Sequence, residues 1–255
     1  VIYIMVLFTW GDQVVDTGKV SSGMSIHPYL QKYDLFSGDL ITEVDGEKVT
    51  HINDINKGLL LRGAKELTVI RPNGESKIVS LPEGIDYELF REGAFPAVQL
   101  RSNDLSIYGF DPKDSSMINA GFKEGDKFVS INGMPINFGD DIDLAKFENK
   151  NKKVKVLVLR GSDTLELSAK IKENGQMGFL RNQNIIDTSA VSIVYYGFGQ
   201  SFGKGMSMGY WTLNDYVSQL KFIFTKKGAS SIGGFAAIGN LFPPVWDWHQ
   251  FWLTT

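Results

Sequence analysis

Three histidines, His27, His51 and His249, are the chain's only imidazoles, and no two of them are four residues apart. None is followed by Glu, so the sequence lacks the H-E-x-x-H helix face on which a hydrolytic zinc site is built. The absence of cysteine removes thiol nucleophiles, Fe–S clusters, disulfides and Cys-ligated zinc. A serine protease would need a G-x-S-x-G nucleophile and a triad, and no such signature is expected in this chain. Gly234 to Gly239 has phosphate-loop spacing, but Asn240-Leu241 follows where Lys-[Ser/Thr] is needed. Asp140, Asp141 and Asp143 are crowded carboxylates, and at a helix start dipole and capping effects account for them without a metal. A net charge of −3 gives no basic face for nucleic acid. What remains is binding.

The elements that would carry binding occur twice. Gly38-Asp39-Leu40-Ile41-Thr42-Glu43-Val44-Asp45-Gly46 returns as Gly125-Asp126-Lys127-Phe128-Val129-Ser130-Ile131-Asn132-Gly133, an offset of 87 residues. Leu67-Thr68-Val69-Ile70-Arg71 returns as Val156-Leu157-Val158-Leu159-Arg160, offset by 89. An internal repeat sets architecture before any single residue does. In each copy Gly-Asp leads into a strand, with Leu40, Ile41 and Val44 matched by Phe128, Val129 and Ile131 as its apolar positions. Asp45-Gly46 and Asn132-Gly133 suit a tight turn at positive φ. A helix's length of mixed sequence, a strand, a turn and a last alternating strand complete the unit.

This order resembles the PDZ domain of bacterial envelope proteases, over about residues 14–83 and 97–172. The expected fold is α+β and mainly β: tandem PDZ-like domains, circularly permuted, followed by an amphipathic helical juxtamembrane region. The expected divisions are 1–11, 12–85, 86–175 and 176–255. A PDZ groove adds an extended chain to a strand and captures a C-terminal carboxylate on backbone N–H groups. For the first unit the candidate peptide-binding loop is Gly23, Met24, Ser25 and Ile26. For the second it is Phe95, Pro96, Ala97 and Val98. Each stretch also reads as a plain strand lead-in.

The ends differ in kind. Val1 to Trp10 is a continuous uncharged apolar run, about half the ~20 residues of a membrane span. It reads either as a buried first strand or as the exit of a membrane helix with Trp10 at the interface, and the missing initiator Met favours an excised segment. Leu213, Tyr216, Val217, Leu220, Ile223 and Phe224 share one helical face, closed by Lys226-Lys227-Gly228. Upstream, Gly199/Gly203 and Gly205/Gly209 have the spacing that permits close helix approach. Trp246, Trp248 and Trp252 crowd beside Phe242 and Phe251, as an interfacial belt or as an aromatic core contact.

Taken in order, these features resemble the segment between the second and third membrane helices of a site-two-protease-type intramembrane zinc metalloprotease. That family is the regulator-of-sigma-E protease, and the run Leu241-Phe242-Pro243-Pro244-Val245-Trp246-Asp247-Trp248 resembles its Bacteroidetes-type members. The stretch Ser230-Ser231-Ile232-Gly233-Gly234 is similar to the family's S-G-P element, with Gly234 where Pro is usual. The resemblance implies an extracytoplasmic filter on the inner membrane. It would admit a transmembrane protein, such as an anti-sigma factor, after a first protease has trimmed it. Ser231, Gly233, Gly234, Trp246 and Trp248 would guide that substrate along membrane lipid. Zinc is implied for the parent only. This segment has no H-E-x-x-H, and its Asp45-Gly46 follows Val44 rather than completing the family's L-D-G, so it is expected to be inactive. Two rival readings are a membrane-tethered, non-enzymatic PDZ adaptor and the recognition half of a soluble envelope protease.

Overall fold

The computed structural model describes residues 1–182, 190–223, 225, 247 and 248. Helix and strand are mixed, and the strands form small antiparallel sheets. Strand does not dominate as expected, because the C-terminal helix alone takes 26 residues.

Helix α1 is Ile2–Trp10, and strand β1 is Asp12–Val15. The first repeat contributes β2 (Met24–Ile26), β3 (Leu40–Val44), β4 (Glu47–Lys48), α2 (Ile52–Lys57), β5 (Glu66–Ile70), β6 (Ser76–Ser80), α3 (Ile85–Glu92) and β7 (Val98–Leu100). The second contributes β8 (Gly109–Phe110), α4 (Ser116–Asn119), β9 (Lys127–Ile131), β10 (Met134–Pro135), α5 (Gly139–Glu148), β11 (Lys153–Arg160), β12 (Asp163–Lys170) and β13 (Phe179–Leu180). Strand β14 (Val191–Val194) pairs with β1, and α6 (Phe198–Ile223) follows.

The two four-stranded sheets have the same order, β4-β3-β5-β6 and β10-β9-β11-β12. Even the irregularity repeats. Thr42 is bulged out of the β3–β5 ladder, and Val129 out of β9–β11. Each bulged carbonyl accepts the N–H of the strand that follows the turn, from Val49 and Ile136 respectively, at 2.9 Å. Asp45 and Asn132 hold φ of 50° and 48° in those turns. Their side-chain oxygens accept main-chain N–H groups of the strand beyond the helix, from Lys65 and Glu66 at the start of β5 in one case and from Lys155 in β11 in the other.

The buried apolar residues of the two repeats fall into two clusters, Met24 to Val98 and Ile107 to Met177. Residues 86–98, expected in the second unit, therefore pack with the first: Leu89, Ala94, Ala97 and Val98 close its core. Ile41 and Phe128 are equivalent core residues, and Ile131 is buried, but Val44 is only half-buried and Val129 is exposed.

The opening apolar run is a helix, not a strand. It is apolar all round and rests on α6, where Gly205 lets it come close. A Cβ on Gly205 would stand 2.7 Å from the Ile4 nitrogen, and one on Gly209 would be 3.5 Å from the Tyr3 ring. Gly199 and Gly203, with the same spacing, face open space. Helix α6 thus begins far upstream of the expected amphipathic stretch. Its inner face docks on the first repeat. Arg62 grips the buried Asp215 through two bonds of 2.8 Å, Lys221 pairs with Asp86, and Phe222 stacks on Phe90 at 4.5 Å. Its outer face leaves Leu213, Tyr216, Val217 and Leu220 exposed. Among the described residues no helix is long and apolar enough to cross a membrane.

Candidate functional site

The two repeats meet at a cleft of about 350 Å³. Ser25, Ile26, His27, Phe95, Pro96 and Ala97 form one wall; α5, Gly175, Gln176 and Arg181 form the other.

The two candidate loops turn out to be one structure. Strand β2 pairs antiparallel with β7, Met24 opposite Leu100, Ser25 opposite Gln99 and Ile26 opposite Val98. The loops therefore do not serve separate units. Antiparallel pairing joined them because Gly23, at φ 68°, lets the chain pass directly under Gly38, where a Cβ would lie within 2 Å of the Gly38 oxygen. Gly23 is thus a close-approach glycine rather than a cleft residue. Met24 and Val98 are fully buried in the first core. Ser25, Ile26, Pro96 and Ala97 reach the cleft, and Phe95 projects into it 57% exposed. Ser231, Gly233, Gly234 and Trp246 lie outside the described residues, as do Phe224, His249 and Trp252. Trp248 is described and exposed.

The counterpart of β7 in the second repeat is β13, which pairs with β8 as β7 pairs with β2. Sequence reasoning missed Gly178, Phe179 and Leu180. The signal was available: Phe179-Leu180 ends the second repeat as Val98-Gln99-Leu100 ends the first, but so short a strand echoes only once the pairing is known.

The floor of the cleft is electrostatic. Asp143 on α5 accepts from Lys146 and from Arg181, each at 2.7 Å, and Arg181 also donates to the Gly139 carbonyl. Burial pushes the Asp143 carboxyl up, but the two cations outweigh it and hold it below its ordinary value. Asp140 is buried and bridged by Arg101 through bonds of 2.8 and 3.0 Å, with the guanidinium stacked 3.7 Å over the Phe138 ring. Arg101 follows β7 directly, so this pair ties the two walls together. Asp141 caps α5, accepting the Asn137 and Phe138 N–H groups at 2.8 Å. The three carboxylates are accounted for by capping and ion pairing. His27 accepts the Tyr29 N–H on Nδ1 at 3.2 Å and stands edge-on to Phe147. Burial lowers its pKa, against the pull of Asp143.

None of this arms a nucleophile. Two G-x-S-x-G stretches do occur, Gly199-Gln200-Ser201-Phe202-Gly203 and Gly205-Met206-Ser207-Met208-Gly209, contrary to the expectation that none would be found. Both serines lie within α6: Ser201 is buried with its hydroxyl donating to the Tyr196 carbonyl at 3.4 Å, and Ser207 is exposed mid-helix, not on the strand-to-helix elbow that such a serine requires. Among the described residues no group of three His, Cys, Asp or Glu could hold a metal.

The scan against family models and the search of curated proteins found no match. Among solved structures, the chain is similar to an HtrA-type protease solved with a tripeptide, at 12% identity and a TM-score of 0.23. The match covers 45% of this chain and 49% of that one, so the chain spans about half the length of the structure it matches.

Proposed function

We propose that this chain is a peptide-binding, non-catalytic pair of PDZ-like units that filters protein substrates for a protease centre carried elsewhere in its parent. The observation that carries the reading is the doubled unit itself. Each copy ends in a strand, β7 or β13, set beside a helix, α2 or α5, and the cleft between the copies holds binding surface but no reactive group. A strand beside a helix with an edge to add to is what β-augmentation uses. The position of that strand at the end of each unit supports a circular permutation.

The finer reading follows the family resemblance. The parent would be an intramembrane zinc metalloprotease of the site-two type, and its substrate a membrane-anchored regulator already trimmed once. The segment would lie on the extracytoplasmic face of the inner membrane. The described residues offer no donor set for zinc, so no catalytic step is assigned to this chain. Support for membrane proximity is the paired apolar surface of α1 and α6, where Met5, Phe8, Phe198, Phe202, Leu213 and Val217 are all exposed.

Two measurements on the full chain test this. Random hexapeptides with free C-termini should bind, and amidating those termini should weaken them. Liposome flotation should carry the chain upward and shift its Trp emission to the blue. Peptides that fail to bind at millimolar concentration sink the filter; a chain that ignores lipid sinks the membrane placement.

A further inference from the structure

In an antiparallel pair, alternate residues turn their N–H and C=O away from the partner strand. The His27 N–H donates to the Ala97 carbonyl, and Ile26 stands opposite Val98, so the Val98 main chain turns away from β2 and toward α2. There the side-chain amide of Asn56 receives it. Oδ1 accepts the Val98 N–H at 3.0 Å and the Ala97 N–H at 2.8 Å, while Nδ2 donates to the Val98 carbonyl at 2.8 Å. One buried carboxamide thus makes the donor-and-acceptor pair that the backbone of an added strand would make.

The second repeat has the same backbone and a different plug. The Asp111 N–H donates to the Gly178 carbonyl, and Phe179 stands opposite Phe110, so the Phe179 main chain turns away from β8 as that of Val98 turns away from β2. The residue 87 positions after Asn56 is Asp143, the same offset as Gly38 to Gly125. A carboxylate cannot donate to a carbonyl. Asp143 is turned instead to Lys146 and Arg181. What crosses this groove is the Arg181 side chain, a partly exposed ion pair of the kind that is cheap to open.

We propose that the two grooves are not equivalent: Asn56 fills the strand-adding edge of the first, and an extended peptide enters the second, between β13 and α5, displacing Arg181 from Asp143. This rests on the peptide-binding reading above and names the site within it.

Residue-resolved amide exchange on the full chain tests it, with a mixture of random free-carboxyl hexapeptides as the probe. Without peptide, Val98 should already be protected, and Asn56→Ala should speed its exchange about tenfold as that hydrogen bond is lost. With peptide, Phe179 should gain protection while Val98 stays unchanged, and Asn56→Ala should add a second footprint at Val98. Peptide protection at Val98 in the unsubstituted chain overturns the inference but leaves peptide binding standing. Protection at neither strand, in the chain or in Asn56→Ala, overturns both. The unsubstituted chain decides even if Asn56→Ala does not fold, since both strands are read in it side by side.

Discussion

Arg160 holds Asp126 through two bonds of 2.7 and 2.8 Å, and the same guanidinium donates to the Gly121 carbonyl. Asp126 in turn accepts the Lys123 N–H at 2.9 Å, so the aspartate of the Gly-Asp turn is anchored from two sides. The first repeat does likewise: Arg71 bonds Asp39 and the Asp34 carbonyl, and Asp39 accepts the Phe36 N–H. The repeated Gly-Asp and the repeated arginine are thus two ends of one contact.

Breaking that contact should be costly. Asp126 is fully buried while Arg160 still reaches water, so Arg160→Ala leaves that carboxylate with the Lys123 N–H alone and should lower the denaturation midpoint. Chemical denaturation should show the loss. Burial raises the Asp126 pKa, but Arg160 and the Lys123 N–H outweigh it and the net value is lowered. Its stabilisation is therefore present above the ordinary carboxylate range and disappears as pH falls through the depressed native value. In Arg160→Ala that acid-side loss should be weaker.

His51 sits between two carboxylates, with Nε2 2.9 Å from Asp12 on β1 and Nδ1 3.2 Å from Asp54 on α2. These bonds raise its pKa to about 9, against burial. A raised histidine stabilises fully below its unfolded value near 6.5 and loses that contribution as pH rises through the native one. Stability should therefore fall between about pH 6.5 and 9, and His51→Gln should flatten that limb. A thermal-melting series across this window that is the same in both proteins would refute the pairing.

Gly23 and Gly46 both have positive φ, 68° and 80°, yet only Gly23 is hemmed in by the backbone of another strand. Gly46→Ala should cost about 1–2 kcal/mol from its left-handed backbone alone. Gly23→Ala adds a clash with Gly38 that no rotamer relieves. It should cost clearly more, with urea midpoints ordering the two.

Asp215→Ala should undock α6. It removes the shared partner of Arg62 and Lys57 from a buried position, a loss of about 3 kcal/mol if the pair behaves as other buried ones do. Limited proteolysis should then cut within residues 198–223 while the two repeat cores persist. Unchanged protease resistance would mean that Phe222 and the α1 contact hold the helix without the ion pair.

Much of the architecture was legible because the repeat restates it. Gly-Asp and the Asp45-Gly46 and Asn132-Gly133 turns keep their spacing, the closing arginines return two residues later, and each imposes its geometry locally: a positive-φ turn, a buried carboxylate, a strand start. The bulge at Thr42 and Val129 was not legible, since nothing in either residue type marks it; it arises from how two strands of unequal path share one ladder. Nor was the length of α6, although the Gly205/Gly209 spacing that permits close helix approach is where α1 lies against it.

By itself the sequence determined that one unit is built twice, that it carries no thiol and no H-E-x-x-H, and that an apolar helical face follows it. Those properties depend on residue type and short-range spacing. The tertiary structure alone decided that the two candidate loops pair with each other, that β13 pairs with β8 as β7 pairs with β2, and that Asn56 rather than a neighbouring strand satisfies Val98. Each of these joins residues about 40 to 75 positions apart. A buried N–H or C=O takes whichever partner the closed fold brings within reach, and no local pattern states which one that will be.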